Sequence, residues 1–274
     1  MRHPALEYFR LDRPGSPNLW CPGCGIGQVW YYTVQAINEL GLDHDKVVWV
    51  GGSGCSGRMC TYWYKDSMHT LHGRPLGFAT GIKLANPELT VICHMGDGET
   101  SAIGGNHLIQ TARRNVELTA ICINNFNYGM TGGQYSPTTP LGGITMTSVE
   151  GSMEPPFDLC RLVEACGAGY VARWTSAHHR QIVNSIKEAI QKQAFAYVEV
   201  VSQCPTYFGR RNRLGDGAEM MRGFLKNSVT KERAQGMTEE ALRGKYVIGK
   251  LVDRNVKGYS ATLHEFAARH SSGV

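Results

Sequence analysis

LTVICHMGDGETSAIGGNHLIQTARRNVELTAICINN, residues 89–125, is the stretch whose reading decides the fold. Leu89–Met95 is a short apolar run of strand length that feeds Gly96-Asp97-Gly98. Ala102–Arg114 carries helical spacing of apolar residues. Leu118–Ile123 is a second apolar run, and it feeds Asn124-Asn125. Strand, helix and strand in succession predict two parallel strands with a crossover helix. The same alternation continues outward. Upstream, Ile26–Leu40 predicts a helix ending at Gly41, Lys46–Gly51 (KVVWVG) a buried strand, and Pro75–Asn86 a helix of small residues. A glycine-rich loop carries Cys55 between them. Downstream, a loop rich in Gly, Thr and Pro runs from Phe126 to Pro156. Phe157–Cys166, Tyr170–Trp174, Ala177–Gln193 and Ala196–Val201 then alternate helix and strand. The expected fold is α/β: a parallel sheet with helices on both faces, plus a C-terminal extension. In such sheets ligands bind at the carboxyl ends of strands, where both Gly96-Asp97-Gly98 and Asn124-Asn125 fall.

Composition adds bounds. The 274 residues can bury a substantial core, and 33 glycines are many for that length. No apolar run reaches a membrane span, and the opening MRHPALEYFRLDRPG reads as an irregular lead-in and not a secretory signal. The expected location is the cytoplasm, where nine cysteines read as thiolate ligands and core thiols. Charge is uneven. Residues 206–274 hold 13 Lys/Arg against 7 Asp/Glu, whereas the first 205 hold 15 against 16. The division expected is 1–205, which binds the cofactors, and 206–274, a basic extension. Its charge suits a solvated or subunit-docking surface, or a face for an acidic partner.

The glycine–aspartate–glycine turn has a specific chemistry. Mg²⁺ takes oxygen ligands and leaves positions to phosphate and water. Asp97 offers a carboxylate, Asn125 a side-chain carbonyl and Asn127 a backbone carbonyl, while Gly96 and Gly98 allow close approach to a diphosphate. A lone GDG is weak. GDG at a strand end, with Asn-Asn completing about thirty residues end to end, is the signature of a thiamine diphosphate and Mg²⁺ site.

Four cysteines form the second constellation. Cys21 and Cys24 stand in WCPGCG, Cys55 in GGSGCSGR and Cys204 in SQCPTYFG. The Cys-x-x-Cys spacing suits zinc, an iron–sulfur cluster or a redox disulfide. A zinc ribbon wants a second such pair, and the thioredoxin-like reading leaves Cys55 and Cys204 without a role. Cys60, Cys93, Cys122, Cys160 and Cys166 read as packed core thiols.

Taken together, CPGCG (21–25), GSGCSGR (52–58), HGRPLGFATGIKLANP (72–87), GDGETSAIGGNH (96–107), NNFNYGMTGGQYSPTTP (124–140) and SQCPTYFGR (202–210) resemble the beta subunit of a 2-oxoacid:ferredoxin oxidoreductase. The resemblance implies thiamine diphosphate, Mg²⁺ and one [4Fe-4S] cluster in this chain. It implies Cys21, Cys24, Cys55 and Cys204 as cluster ligands, and Asp97, Asn125 and the backbone of Asn127 as the Mg²⁺ set. Cofactor contacts are implied for Ser53, Gly54, Cys55 and Ser56, for His72, for Gly96, Gly98 and Glu99, and for Gly129 and Met130. Coenzyme A and a 2-oxoacid are the implied substrates, ferredoxin the electron acceptor, and an alpha subunit the source of the pyrimidine-binding domain.

MTGGQYSPTTP resembles the branch acting on 2-oxoglutarate, and Arg58 is the candidate partner of a distal carboxylate. Of the histidines, His72 is the catalytic candidate. His69 reads as structural or surface, His94 as a satisfied core residue, His107 as undecided and His178-His179 as a solvated turn. A non-redox thiamine decarboxylase or carboligase would explain the GDG turn but leave the four cysteines without work.

Overall fold

Strand after strand in this chain ends where a loop is needed. The computed structural model describes residues 7–10 and 19–271. The lead-in expected over residues 1–20 therefore lies largely outside the described residues. Among the described residues the strands are β1 (Val47–Gly51), β2 (Ser67–His69), β3 (Thr90–Gly96), β4 (Thr119–Asn124), β5 (Tyr170–Thr175), β6 (Ala196–Val201), β7 (Ser228–Thr230) and β8 (Tyr246–Asp253). They form one sheet in the order β2-β1-β3-β4-β6-β5-β8-β7. Every pairing is parallel except β5 with β8. Because β1, β3, β4 and β6 are contiguous and parallel, the segments after them emerge along one edge. Those segments carry Cys55, Asp97, Asn125 and Cys204.

Each strand alternates its side chains between two apolar layers. Trp49, Ile92, Ile121, Val198 and Val200 face α1 (Ile26–Glu39), α2 (Gly54–Tyr62) and α6 (His179–Gln191). Val91, Cys93, Ala120, Cys122 and Tyr197 face α3 (Pro75–Ala85), α4 (Gly105–Arg114) and α5 (Leu159–Ala165). Helices cover both faces, as a parallel sheet requires. Cys60, Cys93, Cys122 and Cys160 are packed in these layers, whereas Cys166 caps α5 and is half-buried.

Three elements differ from the expectation. Cys55 lies not in a loop but in the first turn of α2. Glycine enrichment there serves close packing: a Cβ on Gly57 would stand 2.0 Å from the Gly52 carbonyl oxygen. Beyond residue 205, β8 continues the sheet antiparallel to β5; the register shifts between Lys250 and Val252, which leaves Leu251 unpaired and breaks the period-two pattern. His178 and His179 are not solvated turn residues. His178 Nδ1 pairs with Thr175 Oγ1 at 2.8 Å, and His179 stacks on Tyr32 with Nε2 at 2.7 Å from Gln35 Oε1. The remainder of the C-terminal segment is α7 (Gly217–Asn227), α8 (Lys231–Ala234), α9 (Glu239–Leu242) and α10 (Tyr259–Ser271). No helix among the described residues is long and apolar enough to cross a membrane.

Candidate functional site

A cavity of about 260 Å³ opens at the carboxyl edge, between β1, β3 and β4. The Ser53–Ser56 segment, His72, Gly96, Asp97, Gly98, Glu99, Asn125, Asn127, Gly129 and Met130 all line it. Arg58 does not line it; its charge reaches Cys55 and His69 instead. Tyr128 and Thr131 complete the wall and were not read from the sequence.

With Glu99, Asp97 is one of two buried carboxyls of this site, and it is 1% exposed. Its Oδ2 accepts from Ser136 Oγ and Thr138 Oγ1, each at 2.5 Å, and its Oδ1 accepts from the Asn125 N–H at 3.3 Å. Burial pushes its carboxyl up to about 6, against the two hydroxyls that favour the charged form. Ser136 and Thr138 come from the long loop after β4, where only their hydroxyls marked them as possible partners.

The Asn125 carboxamide supplies a test of the cation reading. One of its two terminal atoms lies 2.8 Å from the Asn127 carbonyl oxygen and 3.1 Å from Asp97 Oδ1. With nitrogen at that position the amide donates to both. With oxygen there, three acceptors converge. Adjacent oxygens on an octahedral ion with bonds of about 2.1 Å stand roughly 3 Å apart. The three groups thus satisfy one another without a cation and, on rotation of one amide, present the oxygen triangle that Mg²⁺ takes.

Glu99 ties three segments together. Its Oε1 accepts from the N–H groups of Ser53 and Gly73, both at 2.9 Å, and lies 3.3 Å from His72 Nδ1. Its Oε2 is buried without a partner, and burial raises its pKa. Gly52 must lack a side chain, since a Cβ there would fall 1.8 Å from Glu99 Oε1. Gly98 is constrained likewise: a Cβ would stand 2.5 Å from the Tyr128 ring, whose hydroxyl donates to the Gly98 carbonyl at 2.8 Å. These glycines bring backbone close to Glu99 and Tyr128, and the first turn of α2 and the turn opening at Gly98 both contribute lining residues to the cavity. N–H groups at such helix starts suit a diphosphate.

The four cysteines meet at a second cavity of about 160 Å³, which Cys21, Cys24, Cys55 and Cys204 all line. Cys55, Asn125, Gly129 and Met130 line both cavities. Cys21 is exposed and Cys204 buried. Burial, then the neighbouring thiols, pushes Cys24 up to about 12 and Cys55 to about 11, so an ionised set of this kind needs a cationic group to hold it. Among the described residues no three His, Cys, Asp or Glu gather around a point as one metal ion requires. Trp20, unread in the sequence, closes this side by donating its indole N–H to the Cys55 carbonyl at 2.9 Å. The Cys21–Cys24 turn is held from below. The Gly25 N–H donates to the Gln203 carbonyl at 3.2 Å, and Gly23 packs on Gly217 at the start of α7.

Comparison with known proteins places the cofactor cavity in a described domain family. Residues 52–200 match the family described as thiamine pyrophosphate enzyme, C-terminal TPP binding domain. The chain is 50% identical over 270 residues to the 2-oxoglutarate synthase subunit KorB of Methanocaldococcus jannaschii, covering 98% of this chain and 99% of that one. It is 44% identical over 192 residues to the 2-oxoacid:ferredoxin oxidoreductase subunit beta of Saccharolobus solfataricus, covering 69% and 63%. Among solved structures it matches a 2-oxoglutarate:ferredoxin oxidoreductase from Magnetococcus marinus, solved with 2-oxoglutarate, coenzyme A and succinyl-CoA bound. That match has a TM-score of 0.85 at 31% identity and covers 97% of this chain and 90% of the other. The resemblance first carried by short motifs thus extends over nearly the whole chain, which belongs to the family of 2-oxoacid:ferredoxin oxidoreductase beta subunits and contains its thiamine pyrophosphate-binding domain.

Proposed function

We propose that this chain binds thiamine diphosphate through Mg²⁺ held by Asp97, Asn125 and the Asn127 carbonyl, and a [4Fe-4S] cluster through Cys21, Cys24, Cys55 and Cys204. With an alpha subunit it converts 2-oxoglutarate and coenzyme A to succinyl-CoA and CO₂. Two electrons pass to ferredoxin and one proton is released, which balances the reaction. The observation that carries this reading is the shared wall: Cys55 lines the cavity of the GDG turn and the cavity of the four cysteines. Electron transfer between two bound groups needs such proximity.

Thiamine diphosphate would supply the nucleophilic carbon and electron sink for loss of CO₂, and the cluster one-electron chemistry. The protein's own part is to bind and orient. Asp97, Asn125 and the Asn127 carbonyl would hold the cation, whose charge would offset that of the diphosphate. The N–H groups at the start of α2 and at Gly98 cradle the phosphate oxygens. Glu99 holds His72 at the mouth of the cavity, where its other ring nitrogen can take or give a proton. Tyr128 and Met130 present apolar surface that keeps water out. The carboxylate that activates the aminopyrimidine comes from the alpha subunit in this reading, so the isolated chain does not turn over substrate. The exposed parts of residues 206–274, outside β8, form the docking surface within the complex in this reading.

Arg58 is the proposed partner of the distal carboxylate of 2-oxoglutarate. Arg58→Leu is expected to raise the KM for 2-oxoglutarate by about 10- to 100-fold, the range for a lost charge-assisted contact of ~1.5–3 kcal/mol, and to leave the KM for 2-oxobutyrate nearly unchanged. Equal effects on both would remove Arg58 from this role.

The whole reading is tested by anaerobic visible spectroscopy with iron and sulfide analysis on the chain co-purified with its alpha subunit. The expected result is a broad brown absorption near ~400 nm from thiolate-bound iron that bleaches on addition of 2-oxoglutarate and coenzyme A. Bleaching only with another 2-oxoacid would change the substrate. A colourless complex would return the chain to non-redox thiamine chemistry.

A further inference from the structure

Asn124, the first residue of the Asn-Asn pair, does not line the cofactor cavity. Its carboxamide works behind the wall. Its Nδ2 donates to Glu199 Oε1 at 2.8 Å, and its Oδ1 accepts from the Phe126 N–H at 3.3 Å. Glu199 stands mid-strand in β6 with its side chain 2% exposed, between Cys122 of β4 and Arg173 of β5 in register. Arg173 Nε donates to its other oxygen, Oε2, at 2.5 Å; the same guanidinium reaches Asp158 Oδ1, also at 2.5 Å.

A carboxylate in such a layer is costly, and an apolar side chain would fill the space at lower free energy. What the charge provides is orientation. An ionised carboxylate only accepts, so Asn124 must turn its NH₂ towards Glu199 and its oxygen towards the Phe126 N–H. Phe126 sits at φ +66°, a left-handed conformation that a bulky aromatic residue rarely adopts. That kink is what brings Asn125 and Asn127, on either side of Phe126, to face Asp97. The strand ladder does not need the side chain, because Ser202 N–H pairs with the backbone carbonyl of Asn124 at 2.8 Å.

We propose that Asn124 and Glu199 are positioning residues for the divalent cation. The Arg173-paired carboxylate fixes the Asn124 amide, the amide holds the left-handed turn at Phe126, and the turn aims two cation ligands. This inference rests on the cation reading given above.

The test uses the complex with its alpha subunit, thiamine diphosphate present, and Mn²⁺ as the probe, with free Mn²⁺ read by EPR. Asn124→Ala removes the amide. Glu199→Gln is nearly isosteric but can present its own NH₂ to Asn124, which turns that amide and takes the acceptor from Phe126. Both are expected to weaken Mn²⁺ binding about 10- to 100-fold, the range for removing an outer-shell partner of a metal site. Val198→Ala, on the opposite face of β6, is expected to lower the melting temperature with Mn²⁺ affinity unchanged. Wild-type affinity in either of the first two variants would overturn the proposal, as would an equal loss in Val198→Ala. Absence of Mn²⁺ binding by the wild-type complex would overturn the cation reading along with it.

Discussion

Asp97→Asn is expected to abolish Mg²⁺-dependent binding of thiamine diphosphate without lowering the stability of the cofactor-free chain. Loss of a direct ligand should exceed the ~10- to 100-fold cost of losing an outer-shell partner. Stability follows from the environment of the carboxyl. Burial raises it to about 6 from an ordinary 3.8, a shift on the order of 3 kcal/mol against the charged form. A raised acid binds its proton more tightly in the folded state. Asp97's own contribution to the stability of the cofactor-free wild type is therefore present below about pH 4 and lost as pH rises to about 6. The amide has no such slope; its oxygen still accepts from the hydroxyls of Ser136 and Thr138, and only the long 3.3 Å bond from the Asn125 N–H loses its acceptor. Thermal melting should show the variant at or above the wild type at pH 7 without cofactor. The wild type alone should gain stability on adding Mg²⁺ and thiamine diphosphate, by about 2.7 kcal/mol at a hundredfold excess over Kd. Equal cofactor-induced gains in both proteins would take Asp97 out of the cation site.

Arg173→Met is the change expected to cost most stability. Arg173 bonds Glu199 in the interior and Asp158 at the margin, and its side chain is 13% exposed. Removing it leaves Glu199 in an apolar layer with no cation. Breaking one side of a buried pair costs roughly 3–5 kcal/mol. For a domain of this size that corresponds to a fall in Tm of about 10 °C. The double change Arg173→Met with Glu199→Leu should recover most of the loss, because matched apolar replacement of a buried ion pair is near neutral or stabilising. The recovered fold should still bind Mn²⁺ poorly, since nothing then orients Asn124. Stability and cation binding would so be separated within one side-chain network. Failure of the double variant to regain stability would show that packing around Arg173, and not charge, sets the cost.

The exposed basic residues of the C-terminal segment belong to a different kind of question. Arg210, Arg211 and Arg213 follow Cys204 closely and are exposed. Their charge suits attraction of an acidic partner over distance, an effect weakened by salt.

Much of this protein was legible without coordinates because its signals are local. Apolar runs of strand length alternating with amphipathic helices define β1, β3, β4, β5 and β6, and parallel topology then brings their following loops to one edge. Asp97, Asn125 and the four cysteines are readable for the same reason: each stands in a short motif, the GDG turn and the Asn-Asn pair at strand ends and the cysteines beside glycine or proline. Other features depend on partners distant in sequence. The helix at Cys55 looked like a loop, because glycine allows both freedom and close packing, and only the approach of Gly57 to Gly52 separates the two. The hydroxyls of Ser136 and Thr138 are ordinary in a loop until Asp97 is beside them. Glu199 is one acid in a strand until Arg173 and Asn124 flank it across two strand pairings. The sequence by itself determined which residues can carry charge, bind a cation or ligate iron, since that is covalent chemistry. Only the tertiary structure decided which of them face one another, which are cut off from water, and therefore which are held in the conformation that makes the chemistry usable.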